Sequence, residues 1–154
     1  NLHLSAAASR ILEILSMTSN PGARLELALA LARLVGDEHH FIQLVRNARS
    51  DPGTTAARTL AAFRRKLDKA STGGDEAFAL LTEAEDAFAH SDLAGGGVTL
   101  ASAIRRLPAS QYAATSYTIL QECALRLDEY GDERLEYLLL SLHVLTVGWG
   151  TGGE

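Results

Sequence analysis

Asp37-Glu38-His39-His40 puts four candidate ligands or proton carriers in a row. Adjacent helix positions point about 100° apart, so the four cannot close on one ion. The chain has no HExxH and no Glu-x-x-His pair of the di-iron kind. The run reads as the exposed first turn of a helix, and no metal or cofactor is expected. Asp86 and His90 stand four apart, where side chains on one helix meet. A protonated His90 there suits the negative end of the helix dipole, so the pair reads as local stabilisation. Glu136 and His143 lie two turns apart on one face of the most apolar helix. With Cys123 and Tyr130 they outline a pocket for a small ligand or for acid–base catalysis. The simpler reading of His143 is a core imidazole bonded to a backbone carbonyl or a tyrosine. Cys123 falls on an inward seam, where a thiol behaves as a small hydrophobe. Reactivity needs exposure and a basic neighbour, and Arg126, three residues on, faces away. Gly95-Gly96-Gly97 precedes a helix but lacks GxxxxGK[ST], and no lysine follows. It reads as a linker rather than a phosphate cradle.

The elements behind these residues are announced by their punctuation. Gly-Asp-Glu occurs at 36–38, 74–76 and 131–133. Gly suits the left-handed residue past a helix end, Asp caps the next helix, and Glu meets its positive pole. Asn20-Pro21 and Asp51-Pro52 give the same start signal with proline in the first helical position. The spacing predicts helices near 4–18, 21–35, 38–49, 52–70, 75–90, 100–107, 110–130 and 133–147. The second, with Leu25, Leu27, Leu29 and Leu31 among alanines, is apolar on most sides and reads as central to the first half. Ala56, Leu60, Phe63, Leu67 and Ala70 form a seam on the fourth. The stretch 91–98 reads as a loop, with a possible hinge at 93–98 dividing 1–92 from 98–154. The helix at 110–130 reads as the longest, broken from the next only at Gly131, so the two form an antiparallel hairpin.

Leu25 through Gly36-Asp37, then Ala48 and Asp51-Pro52, resemble a tetratricopeptide repeat over residues 25–53. Leu120, Cys123, Ala124 and Leu127 before Gly131-Asp132 are similar to the first helix of that repeat. The resemblance implies a scaffold whose concave face holds a peptide. The sequence departs from it at Leu29, Ala32 and Glu136, and no copies recur at a period of about 34 residues.

The 154 residues suit one domain with a real core, 1–154. No apolar run reaches the roughly 18 residues that cross a bilayer. A single cysteine excludes an internal disulfide, fits a reducing compartment, and makes a cytoplasmic location the expectation. The chain starts at Asn1, as an excised domain or processed product does. Residues 1–70 carry ten basic and six acidic side chains, and residues 71–154 carry four and thirteen, so balances of +4 and −9 underlie the net −5. The halves attract one another, or one offers an acidic face to a basic partner. The overall acidity argues against nucleic acid. Arg64-Arg65-Lys66 and Arg105-Arg106 read as solvated faces or as partners for the acidic half.

These readings lead to an all-α fold, a helical bundle or irregular stack of about seven or eight helices. The expected function is non-catalytic: a protein–protein interaction module serving as adaptor, regulatory domain or structural subunit. Another protein or a second copy is the expected partner. Tyr117, Leu138 and Val144 lie off the main seams and are the candidate interaction surface. The alternative is a ligand-binding or catalytic bundle around Glu136 and His143.

Overall fold

The computed structural model describes residues 2–36, 38–70, 75–107, 114–130 and 132–146, with backbone alone at 2–6, 9, 21, 69–70, 114–115, 128, 130 and 132–133. It is all-helical, with no strand among the described residues. The helices are α1 (Leu2–Met17), α2 (Pro21–Leu34), α3 (Glu38–Ser50), α4 (Pro52–Ala70), α5 (Asp75–Ala89), α6 (Leu93–Arg106), α7 (Ala114–Leu125), the single turn α8 (Leu127–Tyr130) and α9 (Asp132–Thr146).

The start signals act as their chemistry dictates. Asn20 Oδ1 accepts from the Ala23 N–H at 3.0 Å, and Pro21 opens α2. The Asp51 carboxylate faces the Thr54 N–H at 3.4 Å, and Pro52 opens α4. Gly36 ends α2 in the left-handed region, at φ 78°. Asp37, Gly74 and Gly131, also expected to punctuate, lie outside the described residues.

The centre of the structure is α9, not α2. From Arg134 to Leu145 every residue but Glu136 is buried. A helix apolar on all sides must be covered on all sides, and α9 touches α2, α3, α4, α7 and α8. By contrast, α2 leans mainly on α1 and leaves Leu25 half exposed. Its alternating leucines divide between core (Leu31) and rim (Leu25), so apolarity alone overstates its burial.

The segment 91–98 departs most from expectation. It is not a loop, because α6 begins at Leu93 and contains all three glycines. The connection from α5 is a Schellman turn: Asp92 N–H bonds the Ala87 carbonyl and Ser91 N–H the Phe88 carbonyl, both at 2.9 Å. Ser91 takes the left-handed position at φ 65°, which is unusual for a residue with a Cβ. Asp92 then caps α6, its carboxylate accepting from Gly95 N–H at 2.9 Å. Gly96 and Gly97 are buried because α6 is clamped between α5 and α7. A Cβ on Gly96 would sit 2.5 Å from the Phe88 ring, and one on Gly97 would fall inside the shell of the Ala124 carbonyl oxygen. The expected long helix before α9 is also interrupted. It breaks at Arg126 into α7 and α8, so α4, at 19 residues, is the longest helix described. No described helix is long and apolar enough to cross a membrane.

The local geometry fixes the sign of two substitutions and makes a third neutral. Gly97→Ala gains up to about 1 kcal/mol in helix propensity but meets backbone that cannot turn aside, so a net loss of about 1–3 kcal/mol is expected. Ser91→Gly relieves the left-handed strain and should add about 0.5–1 kcal/mol. Val98→Ala, on the exposed side of α6, should change stability by less than about 0.5 kcal/mol. Urea unfolding of the three variants measures all of them, and a neutral Gly97→Ala would show that α6 does not pack this closely.

Candidate functional site

The acid–base candidates on α9 are separated by α3, which runs antiparallel along it. At one end the Arg49 Nε donates to Glu136 Oε1 at 3.0 Å. At the other the His40 ring meets the His143 ring edge-on, centroids 4.9 Å apart and planes at 74°. Glu136 and His143 are therefore two clasps on one helix pair, each facing its own α3 partner. His143 lines neither the cleft that Glu136 lines nor the seam around Cys123. Cys123 belongs to a third place, a seam between α1, α7 and α9 lined also by Leu12, Leu15, Ile119, Tyr137 and Ser141. Its free space is about 150 Å³ and is nowhere wide enough for a water molecule. The side chain of Tyr130 lies outside the described residues.

Tyr117, Leu138 and Val144 are buried, the last two completely. They are not an interaction surface, because the fold already covers them: α7 and α9 face neighbours on their secondary faces as well as on their seams. Asp86 and His90 do meet, with His90 Nδ1 3.8 Å from Asp86 Oδ1 and both exposed. His39 and His40 are exposed on the first turn of α3. Among the described residues no group of three His, Cys, Asp or Glu side chains is placed to hold a metal ion. One residue of each basic cluster meets the acidic half: Arg64 pairs with Glu85 at 2.9 Å and Arg106 with Glu76 at 2.8 Å. Such partly exposed pairs contribute at most about 1 kcal/mol each.

Where α2 and α3 diverge they leave an open cleft of about 360 Å³ with α9 as its floor. Gly22, Arg24, Leu25 and Ala28 form one wall, Phe41, Val45 and Arg49 the other, and Glu136 and Tyr137 the floor. The α3 wall follows from a spacing of four, which stacks residues on one face. Two cations are fixed at the rim. Arg24 Nε donates to the Thr18 carbonyl at 2.8 Å, and its guanidinium lies 5.1 Å from the Tyr137 ring centroid. Arg49 is held by Glu136, yet its side chain is 63% exposed against 24% for the glutamate. Sequence reasoning found Glu136 but missed Arg24, Leu25, Phe41, Val45 and Arg49. The usable signal was the repeat Phe41, Val45, Arg49, an apolar track that ends in a cation.

Beneath the cleft, Arg134 is buried within 5.5 Å of the Tyr137 ring centroid and 4.0 Å of the Cys123 sulfur. Burial pushes the Cys123 thiol up, and the Arg134 charge offsets this only in part. Burial likewise raises Tyr117. Both groups are neutral when protonated, so a raised value in the folded state means that the native chain holds protons which the unfolded chain has released. Their stability contribution is whole below the unfolded values, about 8.5 for Cys and about 10 for Tyr, and is lost as pH rises past them. Unfolding free energy should therefore fall between mildly alkaline and strongly alkaline buffer, beginning in the thiol range. Cys123→Ala should remove the earlier part of that fall. In the native state a thiol reagent should label Cys123 only as fast as the chain opens, and rapid labelling would contradict the buried seam.

No known protein family, no curated protein and no solved structure matches the chain. The likeness of residues 25–53 to a tetratricopeptide repeat therefore carries no family assignment, and the site is read from its own geometry.

Proposed function

We propose that this chain is a non-catalytic protein-interaction module of the cytoplasm, serving as adaptor, regulatory domain or structural subunit. It meets its partner through the cleft between α2 and α3, in place of the buried Tyr117, Leu138 and Val144. The observation that carries this reading is the setting of Leu25. Met17 and Val98 are more exposed, but Leu25 stands on the wall of an open cleft beside Ala28, Phe41 and Val45, an apolar lining of the kind that marks a contact site. Catalysis is the less favoured reading because Glu136 and His143 stand seven residues apart, about 10 Å along α9, and each is engaged by a different α3 side chain. The cleft falls within the usual size range of small-ligand sites, about 300–1,000 Å³, which favours a ligand as the second reading. Its open side favours protein, because a small ligand gains most where it is enclosed.

A photo-crosslinking residue placed at position 25 of the full chain, with position 98 on α6 as the control, tests the proposal in the producing cell. A discrete protein adduct formed from position 25 and absent from position 98 is expected. Adducts of equal yield from both positions, or none from position 25, would overturn the reading. Light scattering over a range of protein concentrations separates a second copy from a different partner.

A further inference from the structure

We infer that the exposed face of α4 and α5 is a self-association surface, on which a second copy of this chain pairs Arg58 with Asp86 in both directions. The surface shares no lining residue with the cleft, so it stands apart from the reading above. The helix α4 carries five basic side chains and one acidic, Asp68, while α5 carries five acidic and no basic. The two pack together and leave an open groove of about 260 Å³, with Arg58 on one wall, Asp86 on the other, and the small Ala57, Ala61 and Ala89 beside them. One ion pair joins the helices, Arg64 to Glu85, and Glu76 is taken by Arg106 of α6. Arg58, Arg65 and Glu83 are exposed and make no ion pair among the described residues. The Asp86 carboxylate meets only the His90 ring, at 3.8 Å, and is not joined to Arg58 across the groove. A strip of unanswered positive charge therefore lies beside a strip of unanswered negative charge.

Adjacent strips of opposite sign restrict what can cover them. A partner of one sign sets like charge against one of the two helices. A second copy turned by a twofold axis brings the same two strips in exchanged places, because such an interface is self-complementary. With the axis along the groove, α4 of each copy lies over α5 of the other. Positions at the same level of the groove then meet, so Arg58 faces Asp86 twice. Arg65, seven residues further along α4, shares the face of Arg58 and comes to the side of Glu83. An axis across the groove would stack α4 on α4 and α5 on α5, and like charge opposes it. The alanines matter because short side chains leave the long arginines room to reach across. The pairs stay open to water, so the dimer is weak and sensitive to salt.

The test is sedentation equilibrium of the full chain and its charge variants at low and high salt. A monomer–dimer equilibrium is expected at low salt, weakening as salt is raised. Arg58→Glu and Asp86→Arg should each weaken the dimer roughly tenfold or more. Two combinations should return it to the parent strength. In the double variant Arg58→Glu with Asp86→Arg, both contacts come back with their signs exchanged. In an equal mixture of the two single variants, the heterodimer has one parental contact and one reversed contact, both attractive. Leu25→Asp, in the cleft, should change nothing. Both charged positions are exposed, and circular dichroism checks that each variant folds; the mixture decides the matter if the double variant does not. A chain that stays monomeric at low salt, a dimer that resists salt, or single variants that dimerise like the parent would overturn the inference. So would combinations that fail to restore a dimer from folded chains. A dimer abolished by Leu25→Asp would place the second copy at the cleft and overturn it as well. None of the other outcomes bears on what the cleft receives.

Discussion

The close approach of α6 to its neighbours sets the spacing of the bundle. At Gly96 the helix rests against the Phe88 ring, and at Gly97 against the Ala124 carbonyl. Any side chain at either place would force α5 or α7 outward. Phe88 is completely buried and works in a second direction, because its carbonyl occupies the space that a Cβ on Gly53 would need. The start of α4 therefore crosses the end of α5 just as closely. From these glycines the constraint passes through α4 and α7 to α9, which both of them cover. Overpacking of a jammed interior costs about 1–3 kcal/mol per site, a large share of the margin on which a domain of this size stands.

With α9 fixed, its polar residues become the connections of the centre. The Ser141 hydroxyl donates to the Tyr137 carbonyl at 2.8 Å, which settles that group within the helix itself. His143 lies against His40, and Glu136 takes Arg49. Those two contacts, nine residues apart on α3 and seven on α9, hold the two helices along their length. α2 reaches α9 where Arg24 lies over the Tyr137 ring, and otherwise leans mainly on α1. The cleft is the result. One wall is clasped to the floor at two points, the other meets it at Arg24, and Leu25 lines the gap.

Punctuation and seams were legible in the sequence. Asn20-Pro21 and Asp51-Pro52 open helices because a side-chain acceptor and a residue without an N–H both suit a first turn. The seam Ala56, Leu60, Phe63 and Leu67 is buried because its period matches the helix. The glycine run was not legible. Three glycines read as freedom when taken alone, and only the presence of Phe88 and Ala124 turns them into a contact surface. The Schellman turn before them was hidden for a similar reason, since Ser91 holds a position that usually announces itself as glycine. The buried trio Tyr117, Leu138 and Val144 marks the opposite error. Apolar residues off a seam imply exposure only if the helix has one neighbour, and α9 has five. Of the candidate site only Glu136 was visible as a site residue. The rest depends on how α2 and α3 sit over α9, which no local pattern encodes.

The charge asymmetry gains a location from this geometry. Part of the attraction between the halves is taken up within the chain, where Arg64 meets Glu85 and Arg49 meets Glu136. Partly exposed pairs such as Arg64 with Glu85 add little to stability, but they engage basic residues of the first half with acidic residues of the second. The cleft differs because its carboxylate is the more buried member of its pair and its two guanidinium groups frame the opening. Its two guanidinium groups come from the half that carries +4 and its carboxylate from the half that carries −9, so the cleft is one place where the two halves' charges are brought together.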